Sequence, residues 1–147
     1  MKIIDTMTEG KPFISLEFFP PKERAEWPAF FQAVERLREL NPLFASVTYG
    51  AGGSTHGDSL DIVSRLKKEH GMETMAHLTC IGAHGSEVHS FLDALTHAGV
   101  DNVLALRGDL PRETLPESSH HRPLRYASDL VALIRHSHPH IGLGVAA

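Results

Sequence analysis

The feature that most limits what this chain can fold into is its alternation of short β-prone runs with amphipathic helical segments. Phe13 to Phe19 sets Ile14, Leu16 and Phe18 on one face and Phe13, Ser15 and Glu17 on the other. Pro20-Pro21 then ends what reads as a first strand. From Arg24 to Leu40, Trp27, Phe30, Phe31, Val34 and Leu37 fall at helical spacing, with Pro28 tolerable in the first turn and Asn41-Pro42 as a stop. The pattern repeats. Phe44 to Tyr49 is β-prone, Gly50 to Gly57 is glycine-rich, and Asp58 is placed to cap a helix carrying Leu60, Ile62, Val63 and Leu66 as far as Gly71. A third unit runs from a strand at Thr74 to Cys80 through Ser86 as N-cap to a helix burying Val88, Phe91, Leu92 and Leu95, stopped by Gly99. A fourth strand spans Asn102 to Leu106. The next helix, from about Ala127 to His138, carries Leu130, Val131 and Ile134, and Pro139 blocks it before Ile141 to Ala147 opens a fifth strand.

Strict β/α alternation implies a parallel sheet, and five strands with four helices fit two α/β architectures. One is a doubly wound, flavodoxin-like sheet, complete at 147 residues. The other is the first part of a (β/α)8 TIM barrel, which needs about 250 residues. Length favours the former. Against it, Glu17 is followed by Phe18-Phe19-Pro20-Pro21, which offers neither the glycine turn nor the donor amides of a phosphate loop. With 14 basic and 18 acidic residues, a formal charge of −4 and no single-sign block, the chain carries no electrostatic footprint for nucleic acid or a membrane, so a small-molecule partner is expected. Cys80 is the only cysteine, which excludes an internal disulfide and fits a reducing cytoplasmic setting. The N-terminus lacks a signal-peptide apolar region, and no stretch approaches the roughly 18 apolar residues of a membrane span.

Polar residues collect where successive strands end: Glu17, then Thr48 and Tyr49, then His77 and Thr79, then Arg107 and Asp109. In a barrel that rim is where active sites form, although any strand turns polar on meeting a loop. Glu17 lies between Leu16 and Phe18, so facing inward it would be partly desolvated, a setting that suits a general acid; a surface pair with Lys22 or Arg24 is the plainer alternative. Arg107-Gly108-Asp109 joins a cation, a side-chain-free backbone and an anion, able to grip a phosphate or a heterocycle or simply to turn the chain. Gly50-Ala51-Gly52-Gly53-Ser54 allows close backbone approach to a ligand but matches no dinucleotide fingerprint. The segment from Arg107 to Arg125 exceeds the about 12 to 15 residues beyond which structureless loops are uncommon, and marks a ligand-contact candidate. The 11 histidines include His120-His121, His136, His138 and His140, but no HExxH or Cys/His set accompanies them, so no metal site is expected. His77 stands apart because it lies in a strand.

Four stretches together resemble the methylenetetrahydrofolate reductase family: Ser15-Leu16-Glu17-Phe18-Phe19-Pro20-Pro21-Lys22, Ser46-Val47-Thr48-Tyr49-Gly50-Ala51-Gly52-Gly53-Ser54-Thr55, Ala76-His77-Leu78-Thr79-Cys80, and Leu104-Ala105-Leu106-Arg107-Gly108-Asp109. Their order and spacing also match, over about Phe13 to Ala147. The resemblance implies the barrel in place of the doubly wound sheet. It implies FAD as cofactor, NAD(P)H as hydride donor, and reduction of 5,10-methylenetetrahydrofolate to 5-methyltetrahydrofolate in one-carbon metabolism and methionine biosynthesis. Glu17 and Asp109 would then be catalytic, Glu17 as the acid that opens the folate's five-membered ring and Asp109 on the pterin. Thr48 would lie near nicotinamide or folate, with Glu17 and Asp109 also contacting the substrate. Tyr49, Ala51, His77, Arg107 and Gly108, with Thr48 and Asp109, would hold FAD, joined by Tyr126 and Ala127 in the Tyr-Ala-Ser-Asp segment. A homo-oligomer is expected.

The family pattern continues past Ala147 with a Tyr-Pro-Glu motif, a glutamine, further flavin contacts and the last three strands, so residues 1–147 are expected to be a truncated N-terminal part of the barrel domain. Two open sheet edges and an uncovered core would make such a piece poorly stable or self-associating, and a non-catalytic flavin-binding half barrel is the alternative function.

Overall fold

Period-two alternation makes β1 (Ser15–Phe18) two-faced: Leu16 and Phe18 pack into the core, while Ser15 and Glu17 stay exposed on the other side. Its companions are β2 (Phe44–Val47), β3 (Thr74–Thr79), β4 (Asn102–Leu106) and β5 (Gly142–Val145), alternating with α1 (Trp27–Arg38), α2 (His56–Lys68), α3 (Gly85–Ala98) and α4 (Ala127–Ser137). The computed structural model describes residues 1–7, 10–49, 56–81, 83–108 and 124–146.

All pairings are parallel and the strand order is β1-β2-β3-β4-β5. A flavodoxin-like sheet has order 2-1-3-4-5, because its chain reverses direction across the sheet. The doubly wound alternative is thereby overturned. Each crossover here steps the same way, as in the first five strands of a (β/α)8 barrel. Among the described residues β1 and β5 each have a neighbouring strand on one side only.

The core fills the helix-covered face. Ala45, Val47, Ala76, Leu78, Val103 and Ala105 are almost wholly buried there against Ile62, Val63, Leu66, Val88, Leu92, Leu95, Leu130 and Ile134 of the helices. The inner face is more open, with Phe44, Met75, Leu104 and Leu106 only half-buried. Register fixes its layers: Glu17 lies level with Ser46 and Met75, and His77 level with Leu104 and Gly144. A Cβ at Gly144 would sit 3.1 Å from Leu104 Cδ1, so that glycine makes room for a neighbour's side chain.

Helix starts differ from the sequence expectation. α2 begins at His56, which places Asp58 inside the first turn, where it pairs with Arg24, and not at the N-cap. α3 is capped by His84 and not Ser86, because Glu87 reaches back to accept the His84 N–H at 3.0 Å. Gly99 does end α3, in the left-handed region at φ 78°, with its N–H directed to Leu95 and Thr96 carbonyls.

The other end of the sheet is closed by the N-terminal segment. Ile3 is buried, its N–H donates to Asn102 Oδ1 at 2.8 Å, and Asn102 Nδ2 donates to Met1 O at 2.9 Å and Glu73 Oε1 at 3.2 Å. The Met1 ammonium pairs with Asp101. Asn102→Ala strands these groups together, so a loss of about 1–3 kcal/mol is expected in urea unfolding, and Asn102→Asp should cost at least as much, because its carboxylate would face Glu73 and two carbonyl oxygens with no N–H to donate.

Candidate functional site

Inner-face side chains at the C-terminal ends of β1 to β3 converge on one region. Glu17 Oε2 lies 3.8 Å from His77 Nε2, across the two small β2-side residues Ser46 and Thr48. The expected partial desolvation of Glu17 is not found: its side chain is 51% exposed. The physical reason is position, since β1 is a sheet edge and its inner face is uncovered among the described residues. Nor is Glu17 the partner of Arg24, whose guanidinium is held by Asp58 at 2.8 Å and Asp61 at 3.0 Å and lies over the Trp27 ring.

Thr48 and His77 are buried, and Thr48 Oγ1 and His77 Nε2 have no hydrogen-bond partner among the described residues. A buried polar atom left unsatisfied costs about 1–3 kcal/mol, and two on one site mark a place where a ligand or solvent completes the bonding. Thr48 is fixed by its backbone, donating its N–H to Phe18 O and accepting from Ser59 Oγ. Burial pushes the His77 imidazole below its usual range, opposed by the negative charge of Glu17. Below the unfolded value the unfolded chain binds the proton more readily, so folding stability should fall as pH drops through 6.5 toward the folded value. His77→Gln is expected to flatten that slope in urea titrations run at several pH values.

Tyr49 turns away from this group. Its ring packs 6.4 Å from Phe91 of α3, and burial, with the nearby charge of Glu87, raises its phenol. Arg107 and Gly108 follow β4 and are clamped by the end of β3, with the Cys80 N–H donating to Leu106 O at 3.0 Å and the Ile81 N–H to Arg107 O at 2.9 Å. Gly108 has φ 82°, and a Cβ there would come within 3.0 Å of both Thr79 and Ile81 side chains. The glycine is therefore required twice, by conformation and by contact. Gly108→Ala should cost about 1–3 kcal/mol and shift the Arg107 backbone, a change visible as altered amide resonances at Cys80 and Ile81.

Tyr126 is exposed at the N-cap of α4 and Ala127 is its first residue; Asp129 Oδ2 accepts the N–H groups of Arg125 and Tyr126 at 3.1 and 3.0 Å. Ala51, Asp109, the Gly50 to Ser54 run and most of the segment between Arg107 and Arg125 lie outside the described residues. The reading of sequence alone passed over Ser46, buried on the inner face level with Glu17; its signal was the same period-two alternation that marked Glu17. The histidines near α4 are engaged locally: His138 Nε2 meets Asp93 Oδ1 at 2.9 Å and its Nδ1 meets Ser137 Oγ at 2.9 Å, while His140 contacts Thr96. Among the described residues no group of three or more His, Cys, Asp or Glu side chains is placed to hold a metal ion, and no helix is long and apolar enough to cross a membrane.

Comparison with known proteins adds ancestry to this geometry. A family model described as methylenetetrahydrofolate reductase matches residues 2–147. The chain is 37% identical over 127 residues to 5,10-methylenetetrahydrofolate reductase of Escherichia coli strain K12, covering 86% of this chain and 41% of that protein. It is 41% identical over 115 residues to methylenetetrahydrofolate reductase (NADH) 1 of Arabidopsis thaliana, covering 76% of this chain and 19% of the relative. Methylenetetrahydrofolate reductase 2 of Schizosaccharomyces pombe is 33% identical over 147 residues, 99% of this chain and 23% of the relative. The chain thus spans about two fifths or less of the length of these relatives.

Proposed function

Because the chain belongs to the methylenetetrahydrofolate reductase family, we propose that it forms the leading part of a barrel that reduces 5,10-methylenetetrahydrofolate to 5-methyltetrahydrofolate with NAD(P)H, using FAD. The observation that carries this reading is the convergence of Glu17, Thr48 and His77 at the strand ends, with Thr48 Oγ1 and His77 Nε2 buried and unpartnered among the described residues. The Thr48 hydroxyl, with the side-chain-free backbone at Gly108, suits the heteroatom edge and flat face of a flavin ring.

In this reading Thr48, Tyr49, Ala51, His77, Arg107, Gly108 and Asp109, with Tyr126 and Ala127 at the start of α4, hold the cofactor. FAD supplies hydride transfer between the nicotinamide and the folate's methylene carbon. Glu17 stands on the open inner face, where a planar substrate would cover it, and gives its proton to the folate nitrogen as the five-membered ring opens to an iminium. Thr48 and Asp109 orient the substrate, Asp109 on the pterin. The exposed Arg107 guanidinium is free of a carboxylate among the described residues and suits an anionic part of the cofactor. The role belongs to one-carbon metabolism and methionine biosynthesis in the cytoplasm, with reduced folate as the partner, neither nucleic acid nor membrane, and a homo-oligomer as the working form. Residues 1–147 are the N-terminal part of the barrel domain in this proposal.

The test is a visible absorption spectrum of the purified protein titrated without oxygen. Flavin bands that bleach on NADH or NADPH and return on adding 5,10-methylenetetrahydrofolate support the assignment. Bound flavin that neither nicotinamide reduces points to the non-catalytic half-barrel reading, and absence of flavin refutes a cofactor site in this chain.

A further inference from the structure

We infer that His77 positions the proton of Glu17, the two side chains acting as one acid–base pair across β2; this deepens the folate reading and rests on Glu17 being its acid. The register provides the geometry. Glu17 is level with Ser46 and Met75, so His77 lies two residues above and two strands across from Glu17, on the same face. Only the small side chains of Ser46 and Thr48 lie between them, which lets Glu17 Oε2 come to 3.8 Å from His77 Nε2. His77 is held in mid-strand with its side chain 8% exposed, whereas Glu17 is 51% exposed and free to rotate the remaining distance into hydrogen-bond range.

The hydrogen-bonding capacities then decide what the pair can hold. An ionised carboxylate only accepts, whereas a neutral imidazole nitrogen donates or accepts according to tautomer. With one added proton the pair is either an imidazolium beside a carboxylate or a neutral imidazole whose Nε2–H donates to one oxygen of a Glu17 carboxyl that carries its O–H on the other, toward the open face. Burial disfavours the imidazolium. A flat ligand laid over the inner face removes water from Glu17 as well, and desolvation of both partners favours the neutral pair over the ion pair. The proton then resides on Glu17, aimed from a fixed ring, and leaves as O–H breaks and N–H forms on the substrate. Among the described residues the other groups facing His77 are uncharged: Ser46 and Thr48 beside β2, Leu104 on β4 and Gly144 on β5. Among the described residues Glu17 is the charge whose field reaches the ring.

Two measurements test this. In the first, the chain labelled with ¹⁵N-histidine is titrated by NMR, as native protein and as Glu17→Gln. Loss of the carboxylate should lower the His77 midpoint by about half a pH unit or more, the size expected for unit charges about 4 Å apart in water. Superimposable titrations overturn the pair. In the second, reduced flavin in the holoenzyme is reoxidised by 5,10-methylenetetrahydrofolate across pH, native against His77→Gln, at saturating and limiting folate. A displaced pH profile in the limiting rate supports the positioning role, and an unchanged profile with altered KM alone overturns it. If His77→Gln fails to retain flavin, the NMR result decides. Native holoenzyme that reacts with NAD(P)H but never with the folate overturns the folate reading, and proton delivery by the pair with it, even where the NMR coupling holds.

Discussion

Glu17→Gln is expected to leave bleaching of the bound flavin by NAD(P)H in place while slowing its reoxidation by 5,10-methylenetetrahydrofolate about 10²–10⁴-fold, the usual worth of a positioned general acid. Glutamine keeps the length and hydrogen-bonding shape of the side chain and removes the transferable proton. Because Glu17 is half exposed on an edge strand and makes no core contact, the substitution should not unfold the protein. Anaerobic stopped-flow measurement of each half-reaction separates the two effects. Folate turnover near the native rate would sink the assignment of Glu17 as acid, whatever else holds the cofactor.

Leu78→Ala should have the largest effect on folding. Leu78 is fully buried on the helix-covered face of β3, the central strand, in one cluster with Ile62 and Leu66 of α2 and Val88 and Leu92 of α3. A side chain enclosed between a central strand and two helices leaves a hole that neither layer can collapse into, so about 2–5 kcal/mol is expected. That is a large share of the about 5–15 kcal/mol available to a whole domain. Urea unfolding followed by circular dichroism would register it as a lower midpoint. A loss under about 1 kcal/mol would mean that the face repacks far more readily than close packing allows.

Much of the fold was legible because each β/α unit carries its own signals. Asn102 to Leu106 is found as expected, the other strands and the first and fourth helices are shorter than their apolar runs, and α2 and α3 start earlier than their expected caps. β1 shows why: Phe13, Ile14 and Phe19 continue the hydrophobic alternation but are 49%, 47% and 62% exposed, so an apolar pattern extended past the paired segment. Sheet order was not legible from pattern, since barrel and doubly wound sheets use the same units and differ only in where each crossover returns. The four motifs tipped that choice. The rim positions of Glu17, Thr48, His77 and Arg107 followed from strand ends, but the exposure of Glu17 depends on what covers the inner face, which no local pattern encodes. Its approach to His77 depends on the register of two strand pairs and on the small size of Ser46. The outward turn of Tyr49 toward Phe91 likewise needed α3 in place.

The sequential strand order also has a consequence in time. As the chain leaves the ribosome, every new strand finds its partner in the one just made, and the sheet can grow by short-range steps. The segment around Ile3 is the exception. Ile3 cannot donate to Asn102 until that residue, 99 positions later, has been synthesised. That segment is thus among the last parts of this sheet to be secured, and a nascent chain released before β4 would leave it loose for proteases to find.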